Sequence, residues 1–500
     1  MCCTTSNYIH CAAERSADRG GSATCEERGP YRKPMRLLPF IFGIILLSGC
    51  VAYHPQPILP EKTANDFNSR SLTSEELRAW LETNHVDGPW PRQSWDLGTL
   101  TLVAFYYQPA FAEARVTWCA AQAAEITAGE RPNPSVTVTP AYDDQIPDNP
   151  TPWIVPVTFD VPIETAGKRG KRMAQANQLA EAARWDFISV AWQTRSKVRA
   201  ALLDLLSARE NESLLTGQML AQSNVVRLLE GQRAAGSVSD YDVTQARVTL
   251  ETTQLSRQDA VGQVDQARAA LAGALGVPLH ALDGVKFSFG PLDRFPRDLT
   301  RPEVRRQALF NRADVRGALA DYAASQADLQ LEIANQYPDI HLGPGYAYNN
   351  GSAGDNGWQL GLTVTLPILN HNQGAVAEAE AKRAQAAAHF LSVQAAAMSE
   401  IDSALAGYNA ALKESATAQS LRGDLRRQLD SVKAQAQLGE ADALALADAE
   451  SAYYTGAQNQ LNAMVKAQQA LGALEDAVQS PLTLSPAILD EAQKDFPKSQ

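Results

Sequence analysis

The sequence predicts a mixed α+β fold, in which several chains share one transmembrane β-barrel and long coiled α-helices continue it as a tunnel. Three observations support this class. Four segments alternate apolar and polar residues with a period of two, which is typical of strands. Two stretches of roughly sixty residues contain no proline and are rich in alanine, glutamine, leucine and arginine. The order of these signals repeats about 204 residues further along, which indicates two internal repeats.

The composition excludes several classes of protein. The chain has 500 residues, a length that allows about three domains, and its charged and hydrophobic fractions of 20% and 45% exclude extended disorder. A net charge of −12 and a pI near 5.2 argue against a nucleic-acid partner, which requires a basic surface. Aromatic residues at 7% and a mean hydropathy of −0.25 exclude a bundle of transmembrane helices.

The first functional signal is an apolar run between Met35 and Cys50. Arg36 precedes a stretch that is too short to span a bilayer as a helix, which is the pattern of a secretory signal. The run ends in Leu-Ser-Gly-Cys, which resembles a bacterial lipoprotein box. We therefore predict cleavage after residue 49 and lipidation of Cys50, with residues 1–34 as an over-extended start. The alternative is a plain signal peptide with a chance cysteine.

By the same resemblance, Val51 lacks the aspartate that retains a lipoprotein at the inner membrane, so we expect the outer membrane. Of the six cysteines, four precede Met35, which leaves Cys50 and Cys119 in the mature chain. One remaining thiol cannot form an intramolecular disulfide, and redox or zinc-ribbon sites are excluded because no CxxC remains. Cys119 lies in an alanine-rich helical stretch, where we expect a small buried apolar residue.

The two repeats define the domain organisation. After the signal, residues 50–96 are a lipid-anchored N-terminal segment that begins with prolines. Repeat 1 spans 97–279, a proline-rich linker spans 280–301, repeat 2 spans 302–481, and 482–500 form a tail. Each repeat is predicted to contain a helix, two strands, a very long helix, a glycine turn and another helix.

The strands are predicted at 134–144 and 152–163 in repeat 1, and at 338–349 and 357–369 in repeat 2. In Trp153–Ile163 the odd positions are apolar and alternate with residues such as Thr158 and Asp160. Such alternation over roughly ten residues is the pattern of transmembrane β-strands, with Val157 toward lipid and Thr158 toward the lumen. A soluble β-sandwich alternates in the same way, and the outer-membrane signal favours the barrel.

Four strands in one chain cannot close a barrel. The smallest membrane barrels have about eight strands, and a lipid-exposed sheet edge leaves backbone groups without hydrogen bonds. If these strands lie in the membrane, the protein must therefore be an oligomer whose chains share one barrel.

The helix lengths support a tunnel. Lys171–Arg233 and Gln373–Gln437 each correspond to about 95 Å of α-helix, and the flanking helices at 97–130 and 240–275 are about half as long. Two short helices end to end match one long helix, with Gly236 and Gly439 turning the chain at the end away from the strands. A soluble helical scaffold is the alternative, but it leaves the four amphipathic strands without a role.

These features resemble the TolC-like outer-membrane factors, the exit ducts of Gram-negative efflux and type I secretion machines. The resemblance covers nearly all of the mature chain. The strand-to-helix joints Pro162–Arg169 and Pro367–Gly374 are similar to those of the cobalt-zinc-cadmium branch. The resemblance implies a lipid-anchored homotrimer in the outer membrane, with a twelve-stranded barrel and a periplasmic tunnel.

It also implies a function and partners. The chain would be a passive exit duct for metal cations or drugs, supplied by a proton-driven inner-membrane pump of the RND type through a periplasmic adaptor protein. A duct for type I protein secretion and a non-conducting scaffold are the alternatives. No cofactor or enzymatic activity is predicted, because the sequence lacks HExxH, P-loop, GxSxG and GxGxxG motifs. The seven histidines do not form a metal-binding motif, and His341 is predicted to be a solvated wall residue.

The candidate site residues lie at the turns opposite the strands. Gly236 ends one long helix, Ser239 is a candidate N-cap, and Asp242 lies in the first turn of the next helix. The second turn is similar, with Gly439 followed by Asp442 as a candidate cap and by Asp448. The resemblance implies that these turns contact the adaptor and that Asp242 and Asp448 line the closed end. Helix capping alone is the alternative for Ser239, Asp242 and Asp442, and a solvated surface charge is the alternative for Asp448.

Overall fold

The computed structural model describes residues 53–482, apart from residues 85, 87, 143–152, 294, 297–301, 303–304, 307, 309–310 and 350–356. The chain divides into two units, with the boundary between Ser69 and Arg70. The first contains helix α1 (Pro60–Asn68), which begins with a proline at its first position, where no N–H is needed. The second contains both predicted repeats.

Repeat 1 starts with helices α3 (Leu97–Tyr107) and α4 (Pro109–Gly129), after the short α2 (Glu75–Thr83). The prediction of one continuous helix over 97–130 is therefore wrong. Gln108 has an extended backbone, with a ψ of 118°, because the ring of the following proline disfavours the helical conformation. Helix α3 is almost completely buried, which is consistent with its strongly apolar sequence.

One very long helix follows the strands in each repeat. These helices are α5 (Lys168–Ala234), of 67 residues, and α8 (Gln373–Gln437), of 65 residues. At 1.5 Å per residue each is about 100 Å long. The shorter partners are α6 (Asp240–Leu275) and α9 (Ala443–Val478) after the glycine turns, and α7 (Ala313–Ala334) before the strands of repeat 2.

The short helices pack along the long ones. Helix α5 contacts α4, α6, α7 and α9, and helix α8 contacts α7 and α9. Gln108, the residue at the break between α3 and α4, also links this region to α6. Its side-chain amide donates to the carbonyl oxygens of Gly273 and Ala274 at 3.1 Å. The last carbonyl groups of a helix lack amide partners in a following turn, and Gln108 supplies a donor to two of them in α6; the Gly273 oxygen also accepts from the amide of Gly276 at 3.2 Å.

The strands form one antiparallel sheet in the order β1/β2, β3, β4, β5. The strand predicted over 134–144 is divided into β1 (Ser135–Val138) and β2 (Ala141–Tyr142). Both pair with β3 (Trp153–Ile163) in one register, so they form a single strand interrupted at residues 139–140. Pro140 explains the interruption, since it has no N–H to donate to the sheet.

Repeat 2 contributes β4 (Ile340–Asn349) and β5 (Gly357–Val364). The strand predicted over 357–369 is thus five residues too long. Pro367 cannot donate to a neighbouring strand, and the amide of Ile368 instead donates to the carbonyl of Leu366 at 2.9 Å in a tight turn. The predicted linker at 280–301 contains two short 3₁₀ turns, Leu279–Leu282 and Gly290–Asp293.

Candidate functional site

One face of the sheet is apolar and uncovered. The register places the apolar members of each strand side by side, for example Val138, Val157 and Tyr346, or Leu342 and Leu362. Trp358, Leu360 and Leu362 of β5 are 85%, 75% and 65% exposed. Water-soluble single chains rarely expose an apolar surface of this extent, so the face requires lipid or another protein.

The opposite face of the sheet carries small and polar residues. Thr137, Thr158, Gly345 and Gln359 lie in one row across the strands, and His341 pairs with Thr363 near one end. The ring nitrogen Nδ1 of His341 lies 3.0 Å from the Asp160 carboxylate. The sheet therefore separates an apolar face from a polar one, as the period-two alternation predicts.

The first helix turn is built around Gly236 and Ser239. Gly236 has a φ of +77°, a left-handed conformation that glycine adopts without strain. The Ser239 hydroxyl accepts from the amide of Asp242 at 3.3 Å and donates to its carboxylate at 2.7 Å, while the Ser239 amide donates to that carboxylate at 3.1 Å. These bonds form a capping box and lower the pKa of the Asp242 carboxyl below its ordinary value.

The second helix turn repeats this arrangement in part. Gly439 has a φ of +78°, and Asp442 caps α9 by accepting from the amide of Ala445 at 2.7 Å. Val243, in the first turn of α6, and Ala443, the first residue of α9, belong to one buried apolar cluster with Val225 and Leu229 of α5. The fold therefore brings the two turns together, although they are about 203 residues apart in sequence.

The predicted site residues thus have different structural settings. Ser239 and Asp442 are the N-caps that the sequence predicts, and Asp242 also takes part in capping. Asp448 is exposed, in the second turn of α9. Cys50, the predicted lipidation site, lies outside the described residues.

Within the described ranges there is no group of three or more His, Cys, Asp or Glu residues that could hold a metal ion. No helix of that part of the chain is apolar and long enough to cross a membrane.

A buried charge cluster joins α5 to α9, and no motif in the sequence predicts it. The carboxylate of Glu475 lies 2.7 Å from Nη2 of Arg195 and 3.7 Å from Nε of Arg199, and the Glu475 side chain is 0% exposed. Arg199 also donates to the backbone and side-chain oxygens of Gln468 at 2.7 and 2.9 Å. Burial raises the pKa of Glu475, but the two arginines outweigh this effect and the pKa is lowered.

Gly472 makes this cluster possible. A Cβ at this position would overlap Nη1 of Arg199 where the guanidinium now lies, so glycine leaves the space that this group occupies. The signal in the sequence was the spacing of Arg195 and Arg199, four residues apart on one face of a helix. Nothing in the sequence identifies Glu475, which is 280 residues from Arg195, as their partner.

Two curated relatives are similar to part of the chain. The cobalt-zinc-cadmium resistance protein CzcC of Cupriavidus metallidurans is 30% identical over 216 residues, which are 43% of this chain and 50% of CzcC. The pyoverdine export outer membrane protein OpmQ of Pseudomonas aeruginosa is 27% identical over 211 residues, 41% of this chain and 44% of OpmQ. The chain therefore spans about half the length of these relatives.

A solved structure shares the fold. The outer membrane protein VceC of Vibrio cholerae is 18% identical, with a TM-score of 0.64 over 77% of this chain and 96% of VceC.

The sequence profile described as "Outer membrane efflux protein" matches residues 107–277 and 304–478, and these two segments lie within the predicted repeats. This match confirms the resemblance to the outer-membrane factors that the repeats, strands and long helices indicate, and it covers more than half of the chain. The chain belongs to the outer membrane efflux protein family.

Proposed function

We propose that this protein is the outer-membrane channel component of a tripartite efflux system, a passive exit duct for small substrates. The observation that carries the proposal is the sheet with an uncovered apolar face, joined directly to helices of 67 and 65 residues. An apolar sheet face suits the hydrocarbon layer of a membrane, and helices about 100 Å long extend far beyond it.

The assembly that completes the duct is a homotrimer with a twelve-stranded barrel. In the described part of the chain, β1/β2 and β5 are the outer strands of the sheet, each with one neighbour. Open strand edges are not stable in lipid, whereas β5 of one copy pairing with β1/β2 of the next removes them. Three copies of four strands exceed the minimum of about eight.

The proposed partners are a periplasmic adaptor and an inner-membrane pump of the RND type, driven by protons. Metal cations and organic compounds are both proposed as cargo, since the name of one relative refers to cobalt-zinc-cadmium resistance and that of the other to pyoverdine export. The duct of a type I protein secretion system is the second candidate, because it would use the same fold. The proposed location is the outer membrane, with the tunnel in the periplasm and a lipid anchor at Cys50.

The proposed conduction is tested in planar bilayers with purified full-length protein. We expect discrete conductance steps, and we expect a strain that lacks the gene to become sensitive to divalent metals or to drugs. A non-conducting scaffold would give no steps in the bilayer. Normal resistance together with loss of a secreted protein would instead favour the type I secretion duct.

We also propose that the paired helix turns form the gate. Asp242 and Asp448 would give a trimer two rings of three carboxylates near its axis, and rings of this kind attract cations. Gly236, Ser239, Gly439 and Asp442 shape the surface that meets the adaptor. The capping box around Asp242 supports the alternative that this carboxylate only stabilises its helix.

The double variant Asp242→Asn with Asp448→Asn separates the two roles. As a gate, it should show lower cation selectivity and weaker block by multivalent cations in single-channel recordings. Ser239→Ala is the matched control, because it removes the cap and keeps both charges. If Ser239→Ala changes selectivity as much as the double variant does, capping is the explanation and the gate assignment is wrong.

A further inference from the structure

A histidine–aspartate pair lies on the polar face of the sheet, close to the helices. His341 on β4 and Asp160 on β3 face each other diagonally, with Nδ1 of the imidazole 3.0 and 3.1 Å from the two carboxylate oxygens. The side chains are 38% and 48% exposed, so water reaches both.

Few charged groups of the described residues lie around this pair. The neighbours across the sheet, Ser135 beside Asp160 and Thr363 beside His341, carry no charge. The Asp339 carboxylate interacts electrostatically with His341, and it is itself paired with the ammonium group of Lys168 at 2.8 Å. The charge at this point of the polar face therefore depends on whether His341 is protonated.

We infer that His341 and Asp160 determine ion selectivity at the inner end of the barrel and make it depend on pH. The inference rests on the proposed function, in which the polar face of the sheet lines the lumen of a trimer. Each pair carries one negative charge when the imidazole is neutral and no net charge when it is protonated. Three pairs therefore contribute three negative charges when their imidazoles are neutral and none when they are protonated.

The expected size of the effect follows from the width of the barrel. Twelve strands about 4.8 Å apart and tilted by about 40° give a radius of about 12 Å. The Debye length is about 30 Å at 0.01 M salt, so the ring acts across the whole lumen there, and it falls to about 10 Å at 0.1 M. Three charges about 12 Å from the axis enrich cations about threefold at 0.01 M and deplete anions by a similar factor.

The test measures reversal potentials of single channels in planar bilayers, under a KCl gradient near 0.01 M, at pH 8 and at pH 5. Imidazoles change their charge between these values. For the wild type we expect a ratio of potassium to chloride permeability that is severalfold lower at pH 5. His341→Gln should keep the ratio of the wild type at pH 8 and lose most of the decrease at pH 5.

Two further variants make the result specific. Asp160→Asn should lower the ratio already at pH 8, because the carboxylate is the source of the negative charge. His280→Gln is the matched control, since His280 is exposed in a 3₁₀ turn outside the sheet, and it should respond to pH like the wild type.

The two proposals fail in different ways. If the wild type conducts but His341→Gln keeps the full response to pH, or Asp160→Asn leaves the ratio at pH 8 unchanged, the selectivity inference is wrong and the duct remains. If the wild type gives no conductance at all, the proposed function is wrong and this inference falls with it.

Discussion

Replacing Val157 by arginine tests which face of the sheet meets lipid. Val157 is one residue from the midpoint of β3 (Trp153–Ile163), and its side chain lies on the apolar face between Val138 and Tyr346. Its neighbour Thr158 points to the opposite face, in one row with Gly345. The pair Val157→Arg and Thr158→Arg therefore introduces the same charge at the same depth on opposite faces.

The expected cost follows from the depth. An arginine on the lipid face near the bilayer midplane costs about 2–4 kcal/mol, and the cost falls to about 0–1 kcal/mol near the interfaces. Three copies in a trimer multiply this to about 6–12 kcal/mol if the sites are independent. On the lumen face the guanidinium stays in water, and we expect a change in stability of less than about 1 kcal/mol.

The assay is the temperature at which the oligomer dissociates on gels, measured for the wild type and both variants in membrane extracts. Val157→Arg should abolish the heat-resistant oligomer or greatly lower this temperature, whereas Thr158→Arg should stay close to the wild type. The opposite order would refute the reasoning, because it would mean that the polar face meets lipid.

Three further predictions concern the buried cluster and the N-terminal signal. Glu475→Gln should destabilise the fold by about 3–5 kcal/mol in thermal or urea unfolding, because two arginines lose their buried counter-charge. The pKa of Glu475 is lowered in the folded state, so its ionised carboxylate stabilises the fold fully above the ordinary pKa of 4.5. This stabilisation is lost as the pH falls from there through the lower pKa of the folded state, and the variant should lack this pH dependence. Gly472→Ala should cost about 1–3 kcal/mol because its methyl group would occupy the position of Arg199, whereas Gly262→Ala, with no atom within 4 Å, should be neutral or slightly stabilising; equal effects would contradict the packing argument. Cys50→Ala should abolish labelling by a radioactive fatty acid, and equal labelling of both proteins would exclude the lipid anchor.

Much of the fold could be predicted because it depends on local and periodic signals. A stretch without proline and with abundant alanine and leucine forms a helix in almost any context, so the ends of α8 and of α6 agree with the predicted limits. The strands were identified by the alternation of apolar residues, and the caps at Ser239 and Asp442 by residue type after a glycine. These features need no knowledge of distant parts of the chain.

The errors have two physical causes. The first is proline, which broke the helix at Gln108, the first strand at Pro140 and the last strand before Pro367 more sharply than the periodic pattern indicates. The second is long-range pairing. The sequence contains no local signal that Glu475 neutralises Arg195, or that His341 reaches Asp160, because these contacts depend on the three-dimensional packing and the strand register.

The central claim is that the outer strands of neighbouring chains close a shared barrel, and cysteine cross-linking tests it most directly. Within one chain, β1 and β5 are separated by β3 and β4, which places them about 14 Å apart, beyond the limit of about 7 Å between Cα atoms for a disulfide. Thr137→Cys on β1 is combined in turn with Gln359→Cys, Gly361→Cys or Thr363→Cys on β5, in a chain with Cys119→Ser. We predict that at least one combination, oxidised in the membrane, gives covalent dimers and trimers, while each single variant gives at most dimers. Only monomers in all three combinations, from protein that is folded in the membrane, would contradict the shared barrel.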